Sequence, residues 1–162
     1  RVRAIKRTPG NAPELDRLGT REDLLPWLPD VDVIIVSLPA TAWTEGYLGR
    51  AEFARMKPGT LIVNVGRGSA IDEEAFHEAL ASGVLGGAGI DTWWNYPTNE
   101  AARSHTPPSR FDLSSYDNLV FSPHCASHVR GRQSDRFSAL GEILRSIADG
   151  EPIHRVDLQA GY

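Results

Sequence analysis

Three residues that could do chemistry each stand at the end of a run of strand-forming residues. Arg67 lies between two glycines after the run 61–65, Asp91 closes a glycine-rich run, and His124 follows a third apolar run. An arginine can hold a planar carboxylate by two parallel hydrogen bonds, and a histidine can move a proton near neutral pH. The carboxyl ends of parallel strands meet at one sheet edge, where open α/β folds bind their ligands. The pattern predicts a site for a 2-hydroxy or 2-oxo acid, with a nicotinamide nucleotide as hydride carrier. Taken alone, the Arg67 segment is equally compatible with an ordinary strand, turn and helix that carry a solvated arginine.

Strand-like and helix-like runs alternate along the chain, which predicts an α/β fold with right-handed crossovers and a mostly parallel sheet. The predicted strands are 2–5, 33–38, 61–65, 86–91 and 118–122, and the predicted helices are 21–28, 49–56, 72–82 and 132–149. The continuous apolar run 33–38 is typical of a parallel strand that is covered on both faces. We predict turns over 11–19 and a long irregular segment over 93–115, a length that is usually functional or disordered.

The composition is that of a soluble globular protein. Of the 162 residues, 41% are hydrophobic and 23% are charged, and the formal net charge is −4. The negative net charge argues against a nucleic-acid partner, and no apolar run approaches the length that would span a membrane. Cys125 is the single cysteine, which excludes an internal disulfide and favours a reducing, cytoplasmic compartment.

Several motifs follow one another at consistent spacings. They are Met56-Lys57-Pro58-Gly59, Val63-Asn64-Val65-Gly66-Arg67-Gly68, Gly87-Ala88-Gly89-Ile90-Asp91 and Ser122-Pro123-His124, and the chain ends in Val156-Asp157-Leu158-Gln159-Ala160-Gly161-Tyr162. Together they resemble the D-isomer-specific 2-hydroxyacid dehydrogenases, and the resemblance covers nearly the whole chain. It implies a Rossmann-like, doubly wound parallel sheet and an oxidoreductase that transfers hydride between NAD(P)H and a small 2-hydroxy or 2-oxo acid.

The resemblance also implies roles for individual residues. Arg67 would bind the carboxylate and carbonyl of the substrate, His124 would be the general acid/base, and Asp91 would contact the nicotinamide side of the cofactor. The positions expected to border or contact the cofactor are Leu38, Pro39, Thr44, Val65, Gly66, Arg67, Asp91, His124 and Ala126. The resemblance further implies a homodimer formed through the nucleotide domain.

One catalytic position departs from the family pattern. The family normally has a glutamate before the proline that follows the Asp91 strand, where it pairs with the catalytic histidine; here Tyr96 precedes Pro97. A neutral phenol can hydrogen-bond an imidazole, but it cannot stabilise an imidazolium as a carboxylate would. Formate dehydrogenases, which resemble this family, carry a neutral glutamine there, so the change does not by itself exclude hydride transfer. We predict that Tyr96 or Asn95 orients the imidazole, with Tyr96 completing the catalytic set of Arg67 and His124.

A second departure is that no G-x-G-x-x-G turn occurs in the chain. In the 3-2-1-4-5-6 order of a Rossmann sheet, the first strand and this turn precede the strand predicted at 2–5, and the first strand is the shared neighbour of 2–5 and 33–38. We therefore expect a fragment that folds poorly alone and binds dinucleotide weakly. The predicted domains are a truncated nucleotide-binding domain over 1–150 and a tail over 151–162 that returns toward the substrate domain.

Lys6 and Arg7 bear on the choice of cofactor. The second Rossmann strand usually ends in an acidic residue that bonds the ribose 2′-hydroxyl and repels a 2′-phosphate. Here two cations stand at that position, so we expect both to bind cofactor and NADP(H) to be preferred, with NAD(H) possible. The alternative is a solvated basic turn at a strand end.

Other candidate sites are weaker. His124, Cys125 and His128 lack the further ligands that zinc needs, so no metal site is predicted. His77 is expected to face solvent, and Trp93, Trp94 and Tyr96 either cover the sheet edge or form a wall of the cleft. A second functional class also fits the sequence, namely a catalytically silent nucleotide-binding or dimerisation module of the same fold.

Overall fold

A computed structural model of the chain describes residues 1–8 and 10–151. The strands are β1 (Arg3–Ile5), β2 (Arg17–Gly19), β3 (Val33–Val36), β4 (Thr60–Asn64), β5 (Leu85–Ile90) and β6 (Leu119–Phe121), and the α-helices are α1 (Arg21–Trp27), α2 (Arg50–Phe53), α3 (Glu73–Ala81) and α4 (Arg132–Ala148). Every predicted strand and helix is present, most with ends shifted by one or two residues. The main difference is α2, which is a single helical turn instead of the eight residues expected.

The strands form two parallel sheets, which confirms the α/β class and the parallel arrangement. One sheet has the order β3-β4-β5-β6, and β1 pairs with β2 in the other. In the larger sheet Val36, Asn64, Ile90 and Phe121 lie side by side in register. The residues that follow these four positions therefore emerge along one carboxyl edge.

The strand β2 was not predicted, because residues 11–19 were expected to be turns. The segment Arg17–Gly19 pairs in parallel with β1, and the Lys6 amide donates to Gly19 O at 3.0 Å just beyond the pair. Three residues are too few to show strand periodicity, and their pairing with β1 depends on contacts that are distant in sequence.

A groove separates β1 from β3. These two strands belong to different sheets, and the groove has a volume of about 250 Å³. Apolar side chains from both strands and from α1 line it, including Ala4, Ile5, Leu24, Ile34 and Ile35. The split agrees with the expectation that β1 and β3 lack a shared neighbour.

The buried apolar residues form one cluster on one face of the larger sheet. Ile62 of β4, Phe76 of α3 and Ile90 of β5 are almost completely buried, whereas Ile35 and Val120 are 69% and 70% exposed. The prediction that 33–38 is covered on both faces is therefore wrong for the described residues. In β3 the burial alternates with a period of two, as in a strand that packs on one face only.

The helix that follows the Arg67 segment begins as its sequence predicts. The carboxylate of Asp72 accepts the backbone N–H of Ala75 at 2.8 Å, and Gly83 takes a positive φ of 76° just after the helix ends. Arg50 of α2 donates to both carboxylate oxygens of Glu78. This hydrogen-bonded contact lowers the pKa of Glu78 below its ordinary value and fastens α2 to α3.

The chain divides into two compact units, the first being Arg1–Pro123 and the second beginning at His124. The second unit contains α4. Residues 152–162, nearly all of the predicted tail, lie outside the described residues. No helix in the described part of the chain is long and apolar enough to cross a bilayer.

Candidate active site

The turn that carries Arg67 is held between two neighbouring strand ends. A Cβ atom placed on Gly66 would stand 2.6 Å from the backbone N and O of Leu38, and one on Gly68 would stand 2.0 Å from the carbonyl oxygen of Trp93. Contacts this short with backbone atoms exclude any side chain at either position. The two glycines therefore let the Arg67 turn pack directly between the ends of β3 and β5.

The side chain of Asn64 links the backbone on the two sides of the same turn. It is completely buried at the end of β4; its Nδ2 donates to Arg67 O at 2.9 Å and its Oδ1 accepts the Gly66 N–H at 3.0 Å. Buried amides are found where both of their polar atoms have partners. Asn64 thus ties the backbone on both sides of the turn to the last residue of the strand.

The guanidinium of Arg67 projects from this turn into an exposed position. Its Nη1 donates to Gly66 O at 2.7 Å, and no carboxylate of the described residues forms an ion pair with it. A fixed backbone with an exposed cation is the arrangement that a carboxylate-binding arginine needs.

Asp91 lies at the end of the neighbouring strand and is 5% exposed. The hydroxyl of Ser122 donates to its Oδ1 at 2.5 Å, and the Asp91 N–H donates to Asn64 O at 3.0 Å. The ends of β4, β5 and β6 are therefore joined through Asn64, Asp91 and Ser122. The prediction that Arg67 and Asp91 follow strand ends at one carboxyl edge is confirmed, and the register shows that the two strands are neighbours.

Tyr96 turns back on its own segment. Its hydroxyl oxygen accepts the backbone N–H of Trp93 at 3.0 Å, and 46% of the residue is exposed. Trp94 donates from Nε1 to Ile71 O at 2.7 Å and its ring lies 5.2 Å from that of Phe76, so Trp94 covers the core. The Trp93 ring lies 5.1 Å from that of Phe121 at the end of β6.

His124 begins the second unit, together with Ala126. Among the described non-glycine residues, it alone has a positive φ, of 53°. A non-glycine residue in the left-handed region costs roughly 1–3 kcal/mol, and such residues cluster at functional sites. The backbone geometry thus singles out the residue to which the sequence assigned acid/base catalysis, while its approach to Arg67 stays a prediction.

The predicted cofactor-contacting residues of the first unit lie after the strand ends. Lys6 and Arg7 are exposed after β1, and Leu38 and Pro39 follow β3. Thr44 is buried, and its hydroxyl donates to Pro39 O at 2.5 Å, so it closes the loop after β3. Val65 and Gly66 both donate their N–H to Val36 O at 3.0 Å, which joins the Arg67 turn to β3.

The structure changes the interpretation of His77 and adds two residues to the site. His77 stacks on Phe111 with ring centroids 4.3 Å apart and is half-buried, so it is only partly exposed to solvent. In the described part of the chain, no cluster of three or more His, Cys, Asp or Glu residues could hold a metal ion.

Asn64 and Ser122 belong to the site, although the sequence assigned neither residue a role of its own. An amide inside the apolar run 61–65 was the available signal, because a buried polar group needs partners.

Comparison with known families gives a match over most of the chain. The sequence model of the D-isomer specific 2-hydroxyacid dehydrogenase NAD binding domain matches residues 1–126. Among individual relatives, the chain is 33% identical over 122 residues to D-3-phosphoglycerate dehydrogenase of Archaeoglobus fulgidus, covering 75% of this chain and 21% of the relative. It is 32% identical over 129 residues to glyoxylate/hydroxypyruvate reductase B of Pectobacterium carotovorum, covering 80% of this chain and 38% of the relative. The chain thus spans less than half the length of these relatives.

Solved structures are similar over nearly all of the chain. A D-isomer specific 2-hydroxyacid dehydrogenase from Xanthobacter autotrophicus, in complex with NADPH and MES, matches with a TM-score of 0.81 and 30% identity, covering 99% of this chain and 62% of that one. D-lactate dehydrogenase with NAD⁺ from Lactobacillus jensenii matches with a TM-score of 0.74 and 26% identity, covering 96% of this chain and 48% of that one.

Proposed function

The chain belongs to the D-isomer specific 2-hydroxyacid dehydrogenases, through their NAD binding domain, and we propose that the protein interconverts a small 2-hydroxy acid and its 2-oxo acid with NADP(H). One observation carries this proposal. Arg67 is exposed on a turn packed between strand ends, beside the buried Asp91 on the adjacent strand. An exposed cation on a fixed backbone at this edge suits a small carboxylate substrate.

The residues of this chain would divide the work of the reaction. Arg67 would hold the substrate carboxylate through its guanidinium and withdraw electron density from the adjacent carbonyl oxygen. His124 would donate a proton to that oxygen during reduction and accept it back during oxidation. Tyr96, whose oxygen is held by the Trp93 N–H, would orient the imidazole.

A nicotinamide nucleotide, when bound, supplies or accepts the hydride. Asp91 is suited to meet its nicotinamide side, because the carboxylate is buried at the sheet edge and held by the Ser122 hydroxyl. Lys6 and Arg7 are exposed at the end of β1, where they would attract a 2′-phosphate. Similar structures contain NADPH in one case and NAD⁺ in another. Our preference for NADP(H) therefore rests on this basic pair.

The oligomeric state and the cellular location of the protein are also proposals. The family resemblance supports a homodimer formed through the nucleotide domain. The single cysteine and the family's small-acid substrates favour a cytoplasmic protein, with neither nucleic acid nor a membrane as partner.

The decisive experiment is a reduction assay on the full-length protein. We expect NADPH-dependent reduction of glyoxylate or hydroxypyruvate, with a higher kcat/KM for NADPH than for NADH. The His124→Ala variant should lose about 10²-fold or more in kcat, the scale of general acid/base catalysis, with a far smaller change in the Kd for NADPH. NADPH binding without reduction of any 2-oxo acid would instead support the silent-module hypothesis, and a clear preference for NADH would contradict the assignment of Lys6 and Arg7.

A further inference from the structure

We propose that Asn64 is a positioning residue that sets the direction of the Arg67 side chain. The inference rests on the proposed function, because it gives Asn64 its role through the binding of a carboxylate by Arg67. Asn64 itself is completely buried and does not contact solvent.

The side-chain amide of Asn64 joins the two backbone groups that bracket the Arg67 turn. It donates to the carbonyl of Arg67 at 2.9 Å and accepts the N–H of Gly66 at 3.0 Å. This requires one donor and one acceptor, held in one plane at the length of an asparagine side chain. Glutamine is longer by one methylene, and aspartate in its charged form has no donor.

The Gly66 N–H and the Arg67 carbonyl each have a second hydrogen-bond partner, so Asn64 is not needed merely to satisfy them. Gly66 N–H also donates to Val36 O at 3.0 Å, and Arg67 O also accepts the N–H of Ala70 at 3.1 Å. Losing the amide of Asn64 would therefore not leave either group unpaired, and the cost in stability should be modest. What would be lost is the cross-link that fixes the backbone on both sides of the guanidinium.

Asn64 also connects the anchor to the cofactor side of the site. Its backbone carbonyl accepts the Asp91 N–H at 3.0 Å. One residue thus holds the Arg67 turn with its side chain and the start of the Asp91 segment with its backbone. A shift of the amide would alter the distance between the proposed carboxylate anchor and the proposed nicotinamide contact.

The test uses the isosteric variant Asn64→Asp in the full-length protein. At pH 8 the introduced carboxylate can still accept from Gly66, but it faces the carbonyl oxygen of Arg67 without a proton to share. We expect the KM for glyoxylate and the Kd for oxalate, a planar analogue of a 2-oxo acid, to rise about tenfold, which corresponds to roughly 1.4 kcal/mol. The Kd for NADPH should stay within about twofold.

The pH dependence supplies a signature that a general loss of structure would not produce. When the introduced carboxyl is protonated, it can donate to Arg67 O and accept from Gly66 N–H, as the amide does. Burial raises the pKa of such a carboxyl, so protonation falls within the working range. The ratio of variant to wild-type KM, and of the two oxalate Kd values, should fall toward one as the pH is lowered from 8 to about 5.5.

Thr60→Val is the matched control. Thr60 is also completely buried, at the opposite end of β4, and its hydroxyl donates to Lys57 O at 2.8 Å. This variant should lower the melting temperature without changing the KM for glyoxylate, the Kd for oxalate or their pH dependence.

Oxalate binding separates the two possible failures. Wild-type protein that binds oxalate but reduces no 2-oxo acid would refute the proposed reaction, and the oxalate Kd of Asn64→Asp would still test the positioning role. If Asn64→Asp matches Thr60→Val in oxalate Kd and in pH dependence, the inference is overturned even when the enzyme turns over. Absence of oxalate binding by the wild type overturns it as well.

Discussion

At the scale of single residues, Asn64 and Ser122 hold the candidate site together by hydrogen bonds, although neither is proposed to react. Arg67, Asp91 and His124 could be proposed from sequence because each is a charged or titratable residue at the end of a predicted strand. Asn64 and Ser122 were not identified, because their roles are hydrogen bonds whose partners are defined only once the strands are in register. Sequence thus nominates candidate reactive groups more readily than the residues that hold their backbone in place.

Gly68→Ala tests whether the Arg67 turn is packed as described. The added methyl would meet the Trp93 carbonyl oxygen at 2.0 Å, and backbone atoms on both sides cannot move freely away from it. We expect a loss of about 3 kcal/mol in the free energy of unfolding, at the upper end of ordinary overpacking, measured by urea denaturation of the full-length protein.

Gly89→Ala is the control for that measurement. A methyl on Gly89 would meet only Val63 methyl groups, at 3.7 Å, which is ordinary van der Waals contact. Alanine should therefore be neutral or stabilise β5 by roughly 0.5–1 kcal/mol relative to glycine. Equal unfolding free energies for the two variants would show that Gly68 does not pack against Trp93.

At the scale of elements, the prediction succeeded where local pattern decides and failed where distant contacts decide. Local residues determine where the helix α3 begins and ends: Asp72 caps its N-terminus and Gly83 follows its C-terminus. The three residues of β2 owe their strand conformation to pairing with β1, which no local pattern reports. The apolar run of β3 led to the wrong prediction that both of its faces are covered. Apolar composition shows which residues could be buried, but not whether another element covers them.

Ile35→Thr tests the open face of the larger sheet. Ile35 is 69% exposed, so the substitution should change the free energy of unfolding by less than about 0.5 kcal/mol. It should also reduce aggregation, measured by light scattering, because exposed apolar surface promotes association.

Ile62→Thr gives the comparison on the opposite face of the same sheet. Ile62 is completely buried, and replacing it removes buried apolar atoms while adding a hydroxyl without a designed partner. The free energy of unfolding should fall by at least about 2 kcal/mol. If Ile35→Thr were as destabilising as Ile62→Thr, the face that carries Ile35 would have to be covered.

At the scale of the whole molecule, the fold and the family are established, and the reaction is proposed from the residues of the site. The sheet is split at the groove between β1 and β3, as expected where a Rossmann sheet lacks the strand that those two share. The chain covers only 21% and 38% of two of its relatives. The proposal of a small 2-oxo acid as the substrate class therefore rests on the Arg67 turn of this chain.

The most direct test of the central claim is the kinetics of Arg67→Gln in the full-length protein. The variant loses the two charge-assisted hydrogen bonds proposed to hold the substrate carboxylate, each worth about 1.5–3 kcal/mol. The kcat/KM for glyoxylate or hydroxypyruvate should fall by roughly 10²- to 10⁴-fold, with a far smaller change in the Kd for NADPH. Arg55→Gln, which removes an exposed arginine just after α2, should leave both values at the wild-type level. A kcat/KM for Arg67→Gln within about threefold of the wild-type value would contradict the assignment of Arg67 as the carboxylate anchor.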